Sequence, residues 1–207
     1  MLILIPYLNS KKTDMKTLLP LLTILFFLSM ACSEEEAQTY SIAEIEEISP
    51  HDEFFTNLYA LCGETFVGSS TYPESDDHVL VGTELRAHLS SCDENTIHID
   101  LIRGGDTWHA TWVVSQRDDG LHLYHDHIGV KEYPEGEEPL TGYGGYADDR
   151  GTATKQYFPA DDYTAEILPE ASTNVWMMEM EPENGTFVYY LERHQEPRFR
   201  AELIHNN

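Results

Sequence analysis

The segment Leu121-His122-Leu123-Tyr124-His125-Asp126-His127 sets three imidazoles and a carboxylate on one short stretch of chain. In a strand, alternate side chains share a face, so Leu121 and Leu123 on the core side predict His125 and His127 beside them, with Asp126 opposite. Imidazoles at i and i+2 stand about 6.5–7 Å apart along a strand. They could share a zinc or copper ion if neighbouring strands add further ligands. Candidate third donors are Gln156, Tyr143 and a carboxylate from an acidic loop. Two imidazoles and one oxygen would leave a fourth zinc position for water, the arrangement of a metal-dependent hydrolytic enzyme. Without a third donor the pair would hydrogen-bond a small ligand directly. The bland alternative is a strand end where both histidines meet solvent. The spacing leaves all three open.

Fewer signals lie elsewhere. Tyr143-Gly144-Gly145-Tyr146 could let a ligand approach bare backbone beneath aromatic rings, or could be a turn at a strand edge. Asn174-Val175-Trp176-Met177-Met178-Glu179-Met180 offers soft apolar surface of the kind that fills cores. The chain has no Gly-x-Ser-x-Gly, His-Glu-x-x-His, phosphate-loop or dinucleotide-binding glycine motif. A catalytic carboxylate pair cannot be located among so many acids.

These residues must be carried by strands. Leu85, Ala87 and Leu89 alternate with polar neighbours, as do Ile97, Ile99 and Leu101. Trp108, Ala110, Trp112 and Val114 share a predicted face, as do Trp176, Met178 and Met180; Phe187, Tyr189 and Leu191; and Phe199, Ala201 and Leu203. Turn sequences separate the runs, among them Asp118-Asp119-Gly120 and Glu183-Asn184-Gly185. Short strands joined by tight turns pair antiparallel. Eight to ten of them form a mainly β domain, most simply a single up-and-down barrel, which removes unpaired edges; a β-sandwich is the alternative. Ahead of them Ser49 as N-cap, Pro50, and Asp52-Glu53 in the first turn predict one N-terminal helix over 50–62, stopped by Gly63. Gly63-Glu64-Thr65-Phe66 then resembles the opening of lipocalin-type (calycin) barrels, with Gly-x-x-Phe where that family has Gly-x-Trp.

The N-terminal region carries an address. Met15-Lys16-Thr17 precedes an apolar run over 18–28 that ends in Ser29-Met30-Ala31-Cys32, followed by Ser33-Glu34-Glu35-Glu36. This resembles a bacterial lipoprotein signal peptide, and the resemblance implies that Cys32 becomes the lipidated N-terminus of the mature chain. The run is shorter than the ~20 residues that span a bilayer. The acidic stretch after Cys32 resembles the tag that sends lipoproteins of the Bacteroidota to the outer face of the outer membrane; a periplasm-facing anchor is the alternative. The expected organisation is an over-called extension over 1–14, a signal peptide over 15–31, an acidic flexible tether over 32–48, and the β domain over 49–207. Pieces of the domain, namely His125-Asp126-His127, Tyr143-Gly144-Gly145, Gly151-Thr152-Ala153-Thr154 and Phe158-Pro159-Ala160-Asp161, resemble a group of exported bacterial proteins. That likeness implies no activity.

Loss of residues 1–31 would remove Lys11, Lys12, Lys16 and Asp14, taking 12 basic and 37 acidic residues to 9 and 36, a net charge of −27. Such a field argues against nucleic acid as a partner and leaves the lipid anchor as the membrane contact. The paired acids lack the Asp-x-Asp-x-Asp-Gly spacing of a calcium loop. With Cys32 committed to lipid, Cys62 and Cys92 are expected to pair in an oxidising compartment, stabilising the fold by roughly 3 kcal/mol.

Overall fold

A computed structural model describes residues 48–73, 79–128 and 140–206. Cys32, the signal region and the tether up to residue 47 lie outside them. The chain folds as α1 (Pro50–Tyr59) followed by β1 (Thr65–Tyr72), β2 (Leu85–Asp93), β3 (Thr96–Arg103), β4 (Thr107–Arg117), β5 (Gly120–Asp126), β6 (Gly144–Tyr146) and β7 (Lys155–Pro159). After β7 come a short helix α2 (Asp162–Ile167), a single 3-10 turn (Pro169–Ala171), β8 (Asn174–Glu181), β9 (Thr186–Arg193) and β10 (Glu196–His205). All ten strands belong to one antiparallel sheet in the order β6-β5-β4-β3-β2-β1-β10-β9-β8-β7. The order is a meander wrapped onto itself, a nearly closed up-and-down barrel. Its ends meet through two backbone hydrogen bonds, Asp161 N–H to Gly144 O and Asp148 N–H to Tyr157 O, both 3.0 Å.

The glycine pair of β6 belongs to this seam. A methyl on Gly145 would overlap the carbonyl oxygen of Pro159, and one on Gly144 would overlap that of Leu123. Bare backbone lets the shortest strand fit between β5 and the end of β7. The Thr164 hydroxyl of α2 then bridges Gly144, accepting from its N–H at 2.7 Å and donating to its carbonyl at 2.8 Å. Neither α2 nor this role for Thr164 was expected from periodicity, because six residues are too few to show a helical repeat.

Inside, the barrel is filled by the alternating residues of every long strand, including Leu85, Ile99, Val114, Leu123, Met178, Phe187 and Leu203, all fully buried. Helix α1 closes one end. Ser49 caps it by accepting from Asp52 N–H at 3.1 Å, and Phe54, Phe55 and Leu58 turn into the core. The helix stops at Tyr59 rather than at residue 62. Its last turn tightens into Leu61 N–H to Leu58 O and Cys62 N–H to Tyr59 O, and Gly63, at φ 86°, turns the chain toward β1.

Two bulges change which residues face inward. In β2 the pairing slips between Leu89 and Ser91, so Cys92 lies opposite the buried Ile97. Strict alternation would have turned Cys92 outward; the bulge lets it reach Cys62, and the disulfide forms with Cα atoms 6.1 Å apart. In β4 the register slips between Ala110 and Trp108. Trp108 is therefore displaced from its expected inner position. It lies on the outer face, where its indole N–H donates to Thr111 Oγ1 at 3.1 Å and that hydroxyl donates to Asp100 at 2.6 Å.

Candidate functional site

The connections are unequal at the two ends of the barrel. At the α1 end, β2–β3 and β4–β5 turn over residues 94–95 and 118–119 and β6–β7 are joined by 147–154, whereas the far end carries, beside the tight turns at 104–106 and 194–195, the longer described connection 160–173. Long connections on a rigid scaffold are where binding residues concentrate. At that far end lies a cavity of about 160 Å³.

Its floor is aromatic. Trp112 and Trp176 are buried, and Trp112 stacks on Tyr189 with ring centroids 4.1 Å apart. His125 stands between them, 3% exposed, on the inner face that strand parity predicts. Its Nδ1 lies 3.1 Å from the carbonyl of Tyr143 and its Nε2 lies 2.7 Å from the hydroxyl of Tyr189. A carbonyl only accepts, so Nδ1 carries the proton and Nε2 accepts from Tyr189. Burial holds this imidazole neutral: its pKa falls to about 3, chiefly through desolvation, with smaller contributions from His127 and His109.

His127 lies just past the end of β5 and is half-buried at the rim. Its Nε2 is 2.8 Å from the hydroxyl of Tyr143. The Tyr143 ring stacks on His125 at 4.7 Å and on His127 at 5.5 Å, so it couples the two histidines. Burial pushes the Tyr143 phenol up to about 12 and Tyr189 well above the usual tyrosine range, so both keep their protons. Around His125 the hydrogen bonds join neutral groups over an aromatic floor, and the guanidinium of Arg193 lines the same cavity.

The structure thus brings together His125, His127 and Tyr143 and leaves out Gln156. Gln156 is fully buried at the opposite end of the barrel, where its amide donates to Pro50 O at 3.1 Å and Thr152 O at 2.9 Å. It anchors α1 and does not line the cavity. His122, outward of the strand, pairs with Asp161 at 3.2 Å, and Asp161 also caps α2. For zinc to reach His125, the Tyr189 hydroxyl would have to leave Nε2. Among the described residues no three His, Cys, Asp or Glu side chains are placed to hold an ion.

Three lining residues escaped the sequence reading. His109 faces inward because of the β4 bulge and meets His127 edge to face at 5.8 Å. Tyr189 was assigned to the core face, and its role as the partner of His125 depends on packing across 64 residues. Arg193 was not singled out at all. It follows the inward parity of Phe187, Tyr189 and Leu191, which was the available signal, and its Nε donates to Asn174 Oδ1 at 2.8 Å.

A second concavity, about 420 Å³, lies at the α1 end of the barrel between α1 and the β8–β9 turn, against Leu61, Phe66, Met180 and Pro182. It is larger but mostly apolar, with one ion pair, His205 to Glu64, beside it. Convergent polar groups over an aromatic floor mark the first cavity as the better site. No protein-family model, curated protein or solved structure matches the chain.

Proposed function

We propose that this protein is a lipid-anchored lipoprotein of the cell envelope, displayed at the outer membrane surface, that binds a small ligand in the far-end cavity of its barrel. The observation that carries the binding reading is the cavity bounded by Trp112, Trp176, His125, Tyr143 and Tyr189. The hydrogen bonds around His125 are prearranged between neutral groups, which suits recognition. Native mass spectrometry of protein purified from its own host tests this. An organic adduct of small mass is expected. A stoichiometric metal without one would favour the enzyme reading through His125 and His127, and repeated isolation with nothing bound would favour a purely structural module.

The anchor reading is supported by the residues around Cys32 and by the Cys62–Cys92 disulfide, a bond that suits an oxidising compartment. The outer face of the barrel carries charged residues such as Arg86, Asp100, Lys155 and Glu202, which leaves attachment to the lipid. Among the described residues no helix is long and apolar enough to cross a membrane. Cys32→Ala, or globomycin, is expected to leave an unprocessed precursor. Soluble protein of mature size in either case rules out the anchor.

A further inference from the structure

The cavity's lining is unlike the rest of the chain. In a protein with 37 acidic residues, none of the 15 described residues that line it is Asp or Glu. One is a guanidinium, Arg193, and three more are the imidazoles of His109, His125 and His127.

Arg193 is held in place. Asn174, 4% exposed, takes the Nε proton, which orients the plane of the guanidinium and leaves its two terminal nitrogens for another acceptor. Among the described residues no carboxylate forms an ion pair with it, not even Glu196, which faces it across the β9–β10 hairpin. The hairpin turns through His194 and Gln195, at φ 56° and 63°, a left-handed backbone that non-glycine side chains adopt at a cost. Thr173 ties the turn to the start of β8, accepting from His194 N–H at 3.2 Å and meeting its Nδ1 at 3.0 Å. A strained turn, braced by a neighbouring strand, holds a half-buried cation whose end is unpaired within the described structure. No nitrogen of Arg193 is among the buried unpaired atoms of the described residues, so water reaches its terminal nitrogens, and an anionic ligand can replace that water with charge-assisted hydrogen bonds.

Below Arg193 the walls are Trp112, Trp176, Leu101 and Phe199, flat or aliphatic. A cavity of about 150 Å³ holds a benzene-sized molecule, so the 160 Å³ here suits one ring with a small substituent. We propose that the ligand class is a single-ring aromatic carboxylate, its ring against the Trp176 and Tyr189 side of the floor and its carboxylate on the terminal nitrogens of Arg193. Guanidinium and carboxylate match as planar forks, so the pair selects both charge and orientation. This rests on the reading of the cavity as a binding site and adds the charge and shape of what enters it.

The test is titration calorimetry on the full chain with benzoate and with benzamide, a neutral molecule of nearly the same shape. Benzoate is expected to bind at least tenfold more tightly. Arg193→Gln should bring benzoate down to the benzamide level, and Arg193→Lys, which keeps charge but loses the fork, should recover part of the difference. Arg150→Gln, on the outer face over Tyr157, should leave both ligands unaffected. Thermal midpoints report that each variant is folded. Benzamide binding as tightly as benzoate, or wild-type selectivity retained in Arg193→Gln, overturns the ligand class while the binding site stands. Binding of neither compound, with no adduct in the native protein, removes the binding reading as well.

Discussion

Trp176→Ala is expected to cost about 3–5 kcal/mol of folding stability, since the indole is 1% exposed and the barrel cannot collapse around the space it leaves. The ring lies 5.0 Å from His125 and 5.9 Å from Tyr143, centroid to centroid, so its loss also loosens the hydrogen-bonded relay. For a domain of ordinary stability this is a large share of the total. Urea denaturation at neutral pH measures it, and a change below about 1 kcal/mol would mean that the indole is not packed as described. Trp176 is also floor, so the variant that still folds should admit a bicyclic acid such as 2-naphthoate, which the native cavity is too small to hold.

Acid should unfold the protein through His125. In the unfolded chain this imidazole titrates at its ordinary value of 6.5, whereas in the fold burial lowers it to about 3. Between those values the unfolded state binds a proton that the folded state refuses. The stability contribution is therefore complete above pH 6.5, declines as the pH falls, and is exhausted near pH 3. Its size is on the order of 5 kcal/mol. His125→Gln keeps both hydrogen bonds, because its amide can donate to Tyr143 O and accept from Tyr189, and it does not titrate. The carboxylates that also respond to acid are common to both proteins and cancel in the comparison. Urea midpoints at pH 7, 5.5 and 4 should fall more steeply for the wild type, and parallel curves would show that His125 is not held neutral in the fold.

Much of this architecture is legible in the order of residues because the signals are local. Side chains alternate across a strand, so apolar residues at every second position mark the inner faces of β2, β3, β8, β9 and β10 without reference to anything distant. Ser49, Pro50 and Asp52 mark the start of α1 through groups that satisfy its own first turn. His125 falls inside by the same parity as Leu121 and Leu123. Of the three cysteines, the reading of Cys32 as a lipid attachment point leaves two, which allow one intramolecular bond, so Cys62 and Cys92 could be paired without geometry.

What parity supplies is a face; it does not supply height along the barrel. Gln156 and His125 both point inward, and only the wrapping of ten strands puts one beneath α1 and the other in the cavity. Nor does periodicity register a bulge, where one extra residue reverses every side chain beyond it. That is how Trp108 moved outward, His109 moved in, and Cys92 came to face its partner. Tyr189, Asn174 and Arg193 acquire their roles from neighbours on other strands. By itself the sequence determined an acidic chain with one helix and a meander of strands, since these follow from composition and from contacts a few residues long. Which of its polar groups would share a cavity was decided by closure of the barrel, because packing brings together residues that no local pattern relates.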